Sequence, residues 1–384
     1  MNRFLSLALA ALLLAPCVSA ADLPASAAPS GPETAAASAV LMEKESGAVL
    51  YEKDARQKLE PASVTKIMTL LLIMEALDSG RIARDDMVTV SAYAAGMGGS
   101  QVYLKEGEQM SVSELLKCIT VVSGNDAAVA MAEYLSGSEA AFVAEMNLRA
   151  RELGMADTNF VNCTGLPAQG HLTSAHDIAL MSRELILNHP SIREYTTIWM
   201  DSIRDGAFGL TNTNRLVRFY QGATGLKTGS TDSALYCVSA TAERDGMELI
   251  AVVMKAPTTA QRFQDASSLL DYGFANYALI TPQPESPLAP VDVLLGRSKT
   301  VQPQLQRECH LLVEKTQADQ VTTRVDLAQD VQAPVDPGQT LGEFQVYVGN
   351  ELRDSVPIVA AQGVDRLSVP GLFSQLLRRL LFAG

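Results

Sequence analysis

Pro61-Ala62-Ser63-Val64-Thr65-Lys66-Ile67-Met68-Thr69-Leu70-Leu71-Leu72-Ile73-Met74-Glu75-Ala76-Leu77 starts at a proline and continues as a strongly apolar run. Proline suits a helix start, where its missing N–H would go unpaired in any case. The pattern predicts a helix to about Leu77, stopped by Gly80. Ser63 and Lys66 sit one turn apart on its first turn, on the same face. An ammonium is thereby brought close to a hydroxyl, and the helix N-terminus favours negative charge developing on that oxygen. A serine is a poor nucleophile until a neighbouring base takes its proton. Lys66 can be that base only if burial and a second nearby cation lower its pKa.

Two further strings supply the remaining groups. Ser123-Gly124-Asn125 falls between helices expected over 111–122 and 125–135. There a serine hydroxyl can relay a proton to a leaving amine, and the Asn125 amide can hold a substrate carbonyl or orient Lys66. Taken alone, Asn125 is as well explained as a helix cap. Lys227-Thr228-Gly229 leads toward a strand, and Lys227 is the natural second cation. Lys227 and Thr228 can bind a terminal carboxylate, and Gly229 lets the backbone approach an extended ligand. The Ser230 N–H can join the Ser63 N–H in an oxyanion hole. Each string alone is weak: Ser-x-x-Lys arises by chance roughly once or twice in a chain this long. All three, in order and in suitable local context, are hard to ascribe to chance.

Around these strings the chain reads as a mixture of strands and helices. A hairpin is expected over 39–42 and 48–51, with its turn at Glu45-Ser46-Gly47. Helices follow over 138–153 and 174–188, then paired strands over 235–243 and 247–255 and a closing helix over 258–277. This predicts an α/β domain over 38–280, a sheet covered by helices with a large helical insertion. Four prolines between Thr281 and Pro290 mark a linker over 281–290. Short alternating runs beyond it predict a small all-β domain over 291–365.

The two ends are different in kind. Residues 1–20 read as a signal peptide, with Arg3, an apolar run and a Val18-Ser19-Ala20 cleavage site. Residues 21–37 read as a flexible lead-in. Over 370–384, Leu372, Phe373, Leu376, Leu377, Leu380 and Leu381 recur at helical spacing opposite Arg378 and Arg379. This is an amphipathic helix too short to cross a bilayer, and an in-plane membrane anchor is expected. A net charge of −13, one unit more negative without Arg3, argues against nucleic-acid partners. Cys118, Cys163, Cys237 and Cys309 show no framework spacing, so buried free thiols are expected, and no Cys/His grouping suggests a metal.

These segments resemble the low-molecular-mass penicillin-binding D-alanyl-D-alanine carboxypeptidases. The resemblance extends to Met146-Asn147, Leu153-Gly154-Met155, Gly165-Leu166 and Ser174-Ala175-His176-Asp177, and covers residues ~38–280. It implies a β-lactamase/transpeptidase-like fold followed by the β domain and the anchor helix. It also implies an exported enzyme on the outer face of the cytoplasmic membrane. Ser63 would be the nucleophile, Lys66 the general base, Ser123 a proton relay and Asn125 a positioning group. Lys227, Thr228, Gly229 and Ser230 would bind substrate. The implied substrate is a peptidoglycan stem peptide ending in D-Ala-D-Ala, with β-lactams as mimics and no metal or organic cofactor. The alternatives are a DD-endopeptidase, a β-lactamase and a non-catalytic penicillin-binding protein. Against the lactamase, no Glu-x-x-x-Asn element follows Asn125 to hold a hydrolytic water. Ser230 stands where many members carry a larger residue, and the role of His171 is open.

Overall fold

A five-stranded antiparallel sheet organises the larger part of the chain. The computed structural model describes residues 31–371, 373 and 381. Its strands are β1 (Ser38–Glu43), β2 (Val49–Lys53), β3 (Ala223–Thr231), β4 (Leu235–Arg244) and β5 (Met247–Ala256), in spatial order β2-β1-β5-β4-β3. Its longer helices, each of ten residues or more, are α1 (Lys66–Asp78), α2 (Val112–Val121), α3 (Asn125–Ser136), α4 (Glu139–Glu152), α5 (Ala175–Asn188) and α6 (Thr259–Asn276). The first five form the insertion between β2 and β3.

The central strands are apolar on both sides because both faces are covered. On β1 and β5, Val40, Met42, Ile250, Val252 and Met254 point into the core shared with α1 and α5. Leu41, Leu249 and Val253 point the other way, onto Leu269, Leu270 and Phe274 of α6. Each such side chain contributes about 1.5–3 kcal/mol by leaving water. The helix ends follow local rules as firmly as the core does. Ser111 and Glu114 form a reciprocal capping box on α2, and Ser138, Ser174 and Thr258 cap α4, α5 and α6. A cap of this type is worth about 1 kcal/mol.

One expectation needs correction. The Lys227 motif does not lead toward a strand but lies inside β3, at the open edge of the sheet. Strand Tyr277–Ile280, which closes the region expected as the α/β domain, pairs with Leu311–Glu314 in the β-rich region. A four-residue strand following directly on α6, with no turn signal between, left no mark to read. The 281–290 segment itself holds neither helix nor strand. Beyond it, a sheet ordered Pro303–Leu305, Glu351–Ala360, Thr340–Val348, Val321–Leu327 packs around Phe344, Val346, Val356 and Ile358.

The signal peptide expected over 1–20 lies outside the described residues, as do 21–30 of the lead-in and most of the helix expected over 370–384. The end of the lead-in is not free: the Ala36 N–H donates to Asp265 of α6 at 2.9 Å, and Lys53 Nζ donates to the carbonyls of Thr34 and Ala36. Cys118, Cys163, Cys237 and Cys309 are buried free thiols.

Candidate active site

The chain enters α1 through a 3-10 turn, Ala62–Thr65, that carries Ser63. Ala62 sits at φ +49°, a left-handed conformation costly for a residue with a side chain. Two glycines press on this turn. A Cβ at Gly165 would lie 1.8 Å from the Ala62 oxygen, and one at Gly229 would lie 2.7 Å from the Ser63 nitrogen and 2.8 Å from that of Val64. The closeness that Gly229 allows is therefore first to the nucleophile's own backbone, more than to a ligand as expected from sequence. It brings the Lys227 motif and the Ser63 turn into direct contact.

Lys66 is wholly buried and its Nζ meets three oxygens: Ser63 Oγ at 3.1 Å, Asn125 Oδ1 at 2.6 Å and the Thr164 carbonyl at 2.8 Å. Burial lowers its pKa to about 7. Two of these partners are carbonyl-type oxygens that can only accept. A neutral Lys66 amine has two N–H bonds, which those two oxygens take up, so its lone pair is left facing the Ser63 hydroxyl. Its neighbours thus direct the lone pair of the neutral amine toward Ser63 Oγ.

Asn125 is not a cap: Gly124 occupies the N-cap of α3, and the Asn125 amide joins Lys66 through Oδ1 to the Gly98 carbonyl, to which Nδ2 donates at 2.7 Å. Asp126 beside it accepts from the Val102 and Leu104 N–H groups, fixing the loop that borders the site. Ser123 sits at φ +63° in the helix-ending position usually given to glycine. Its hydroxyl is buried and has no hydrogen-bond partner among the described residues.

On the strand side, Lys227 is buried and donates to the Thr228 carbonyl at 3.0 Å. Its pKa is held well below the usual lysine range by burial, then by the charges of Lys66 and Arg262. Thr228 shares a 2.7 Å hydrogen bond with the hydroxyl of Thr213, while Ser230 is exposed at the sheet edge. The structure therefore brings Ser63, Lys66, Ser123, Asn125, Lys227, Thr228, Gly229 and Ser230 to one place.

Sequence reading missed Thr164 as the third partner of Lys66. Asn162 Oδ1 accepts from the N–H groups of Thr164 at 3.2 Å and Gly165 at 2.7 Å, forming the turn that presents the Thr164 carbonyl. An asparagine three residues before a glycine was the signal available. His171 now has a place too. Its Nδ1 accepts from the Val161 N–H at 3.0 Å, so the proton is on Nε2, which meets Thr65 Oγ1 at 2.8 Å. Thr65 in turn donates to the Ala62 carbonyl at 2.8 Å. Burial lowers the His171 pKa to about 4, so the ring is neutral and serves to pin the nucleophile turn. One metal-like cluster among the described residues, Glu75, Glu184 and His189, lies elsewhere, and Arg149 already bridges its two carboxylates at 2.7 and 2.5 Å.

Residues 25–258 match the family model described as D-alanyl-D-alanine carboxypeptidase. The chain belongs to the D-alanyl-D-alanine carboxypeptidase family. Residues 283–366 match the C-terminal domain of penicillin-binding protein 5. Among curated members of the family, the chain is 42% identical to D-alanyl-D-alanine carboxypeptidase DacF of Bacillus subtilis over 336 residues, 86% of each chain. It is 33% identical to DacC of Escherichia coli over 85% of this chain and 83% of that one. Among solved structures, penicillin-binding protein 5 of Haemophilus influenzae superposes with a TM-score of 0.74 at 30% identity, covering 88% of this chain and all of the other (100%).

Proposed function

We propose that this chain is a serine D-alanyl-D-alanine carboxypeptidase that trims the terminal D-alanine from peptidoglycan stem peptides and is acylated by β-lactams. The observation that carries the reading is the Lys66 amine, its pKa brought down to about 7 by burial and its nitrogen 3.1 Å from Ser63 Oγ. Ser63 Oγ attacks the carbonyl of the penultimate D-alanine while Lys66 takes its proton. The oxyanion forms between the Ser63 and Ser230 N–H groups. The carbon–nitrogen bond breaks, the departing D-alanine amine receives the proton through Lys66 or Ser123, and the acyl group stays on Ser63. Water then releases it and regenerates the hydroxyl. The unpaired Ser123 hydroxyl suits the relay, since no competing partner holds it. Lys227 and Thr228 receive the substrate carboxylate, and the open edge of β3 suits an extended peptide added as a further strand. Cations gathered in a chain of net charge −13 concentrate the carboxylate where it is needed.

We further propose the division into leader (1–20), lead-in (21–37), peptidase domain (38–280), linker (281–290), β domain (291–365) and anchor (370–384), with export to the outer face of the cytoplasmic membrane. No helix among the described residues is long and apolar enough to cross a membrane. Val369, Phe373 and Leu381 are exposed, which favours in-plane attachment. Flotation with anionic vesicles that is lost on truncation before Leu372 supports the anchor, and equal flotation of both forms refutes it.

The test of the activity is release of D-alanine from diacetyl-Lys-D-Ala-D-Ala by the mature chain, with Ser63→Ala alongside. Release that vanishes in the variant is expected. Release that persists in the variant overturns the nucleophile. A wild-type chain that releases nothing, yet is acylated by penicillin at Ser63, overturns the carboxypeptidase reading in favour of an endopeptidase or a binding protein.

A further inference from the structure

Glu60 is an acid at the edge of the site to which the reaction above gives no role. It is half-buried and directly precedes the Pro61-Ala62-Ser63 turn. Its carboxylate accepts from the hydroxyl of Ser233, in the turn that joins β3 to β4. No lysine, arginine or histidine among the described residues forms an ion pair with it. Other half-buried acids of this chain are not left so: Glu75, Glu108 and Glu184 each face an arginine. Beside Glu60 lies a small cleft, lined also by Ala62, Leu166, Pro167, His171 and Thr231. The acid therefore stands between the nucleophile turn and the far end of β3, with a hydroxyl but no cation to answer its charge.

The direction of the substrate follows from the groups already placed along β3. On the proposed mechanism Lys227 and Thr228 take the terminal carboxylate, and the Ser230 N–H takes the oxyanion. The peptide upstream of the scissile bond then runs past Thr231 toward Ser233, along the open edge of the sheet. Ser233 lies three residues beyond Ser230, at most about 10 Å along the chain. A side-chain amine on the residue before the two D-alanines, carried on a lysine-like four-carbon stem, reaches that far. We infer that Glu60 is a specificity-determining residue: its carboxylate receives the side-chain ammonium of the residue that precedes the two D-alanines. The substrate thereby supplies the cation that the chain itself withholds. An amine consumed in a crosslink is a neutral amide, so Glu60 favours stem peptides whose side-chain amine is still free. The inference rests on the carboxypeptidase reading of Ser63.

The experiment measures D-alanine release from two peptides by the full mature chain and by its Glu60→Gln and Asp232→Asn variants. Nα-acetyl-Lys-D-Ala-D-Ala carries a free side-chain ammonium; diacetyl-Lys-D-Ala-D-Ala has the same backbone without that charge. The readout is the ratio of the two kcat/KM values, which a general loss of structure does not move. Wild type is expected to favour the free ammonium roughly 5-fold, through KM, the weight of a well-formed and partly exposed ion pair. Glu60→Gln keeps an acceptor for Ser233 and brings the ratio close to unity. Asp232→Asn, at an exposed acid of the same turn, keeps the preference. In about 0.5 M salt the wild-type preference shrinks. A wild-type ratio near unity overturns the inference, as does a preference that Glu60→Gln leaves in place, that Asp232→Asn abolishes or that salt does not alter. A wild-type chain that releases D-alanine from neither peptide overturns the carboxypeptidase reading itself, and this inference with it.

Discussion

Lys66 and Lys227 are both buried lysines of one site, yet they are satisfied very differently. Lys66, on the helical side, has three oxygens around its nitrogen; Lys227, on the strand side, has one carbonyl among the described residues. An ammonium carries three donors, so Lys227 keeps bonding capacity in reserve. The difference separates two tasks. On the proposed mechanism, the group that moves a proton is fixed in advance, which holds the reacting geometry without reorganisation. On the same proposal, the group that binds a carboxylate is left short of partners until substrate supplies them.

The sharpest way to break this comparison is Lys66→Arg, which imposes a permanent charge and cannot give up its proton. Acylation by benzylpenicillin is expected to fall by about 10²–10⁴-fold, the share a general base supplies. An acylation rate within a few-fold of wild type would remove Lys66 from the chemistry. Lys227→Gln addresses the other side of the cleft. It should raise KM for the carboxylate-bearing peptide more than it lowers kcat. By removing a like charge it should also move the acid limb of kcat/KM, expected at about pH 7 from Lys66, to higher pH. The sign follows from the base having to be neutral: activity rises as pH rises through the Lys66 pKa. A limb that stays put would mean that burial alone sets it.

Gly229→Ala tests the contact between the two sides. The added methyl has no room beside the Ser63 and Val64 nitrogens, so a loss of about 1–3 kcal/mol in stability is expected, with slower acylation. An equilibrium urea melt and a penicillin-acylation time course read both. The smallest effect belongs to the pin behind the nucleophile. His171→Ala should cost about 1–3 kcal/mol by orphaning the Val161 N–H, and His171→Gln, which offers both an acceptor and a donor, should recover most of it. Because folding lowers the His171 pKa to about 4 from an ordinary value near 6.5, wild-type stability should decline as pH falls between those values. His171→Gln should flatten that part of the pH-stability profile, and identical profiles would dismiss the pin.

Much of this was readable from sequence because local rules and global fold agree. The serines at 111, 138 and 174 cap helices where a capping residue precedes an apolar pattern, and β1 and β5 are apolar because both their faces are covered. The strings around Ser63, Ser123 and Lys227 named the groups that meet in the cleft. What stayed hidden depends on contacts between distant segments. Thr164 reaches Lys66 from 98 residues away, and His171 reaches Thr65 across 106. The strand Tyr277–Ile280 carries no punctuation of its own and is defined only by its partner at Leu311–Glu314.

The most direct test of the buried, pre-aimed Lys66–Ser63 pair is to map the benzylpenicillin adduct by mass spectrometry of proteolytic peptides while pH is varied. The account predicts a single adduct, on Ser63, forming faster as pH rises through about 7. An adduct on any other residue, or a rate indifferent to pH across that range, would contradict it.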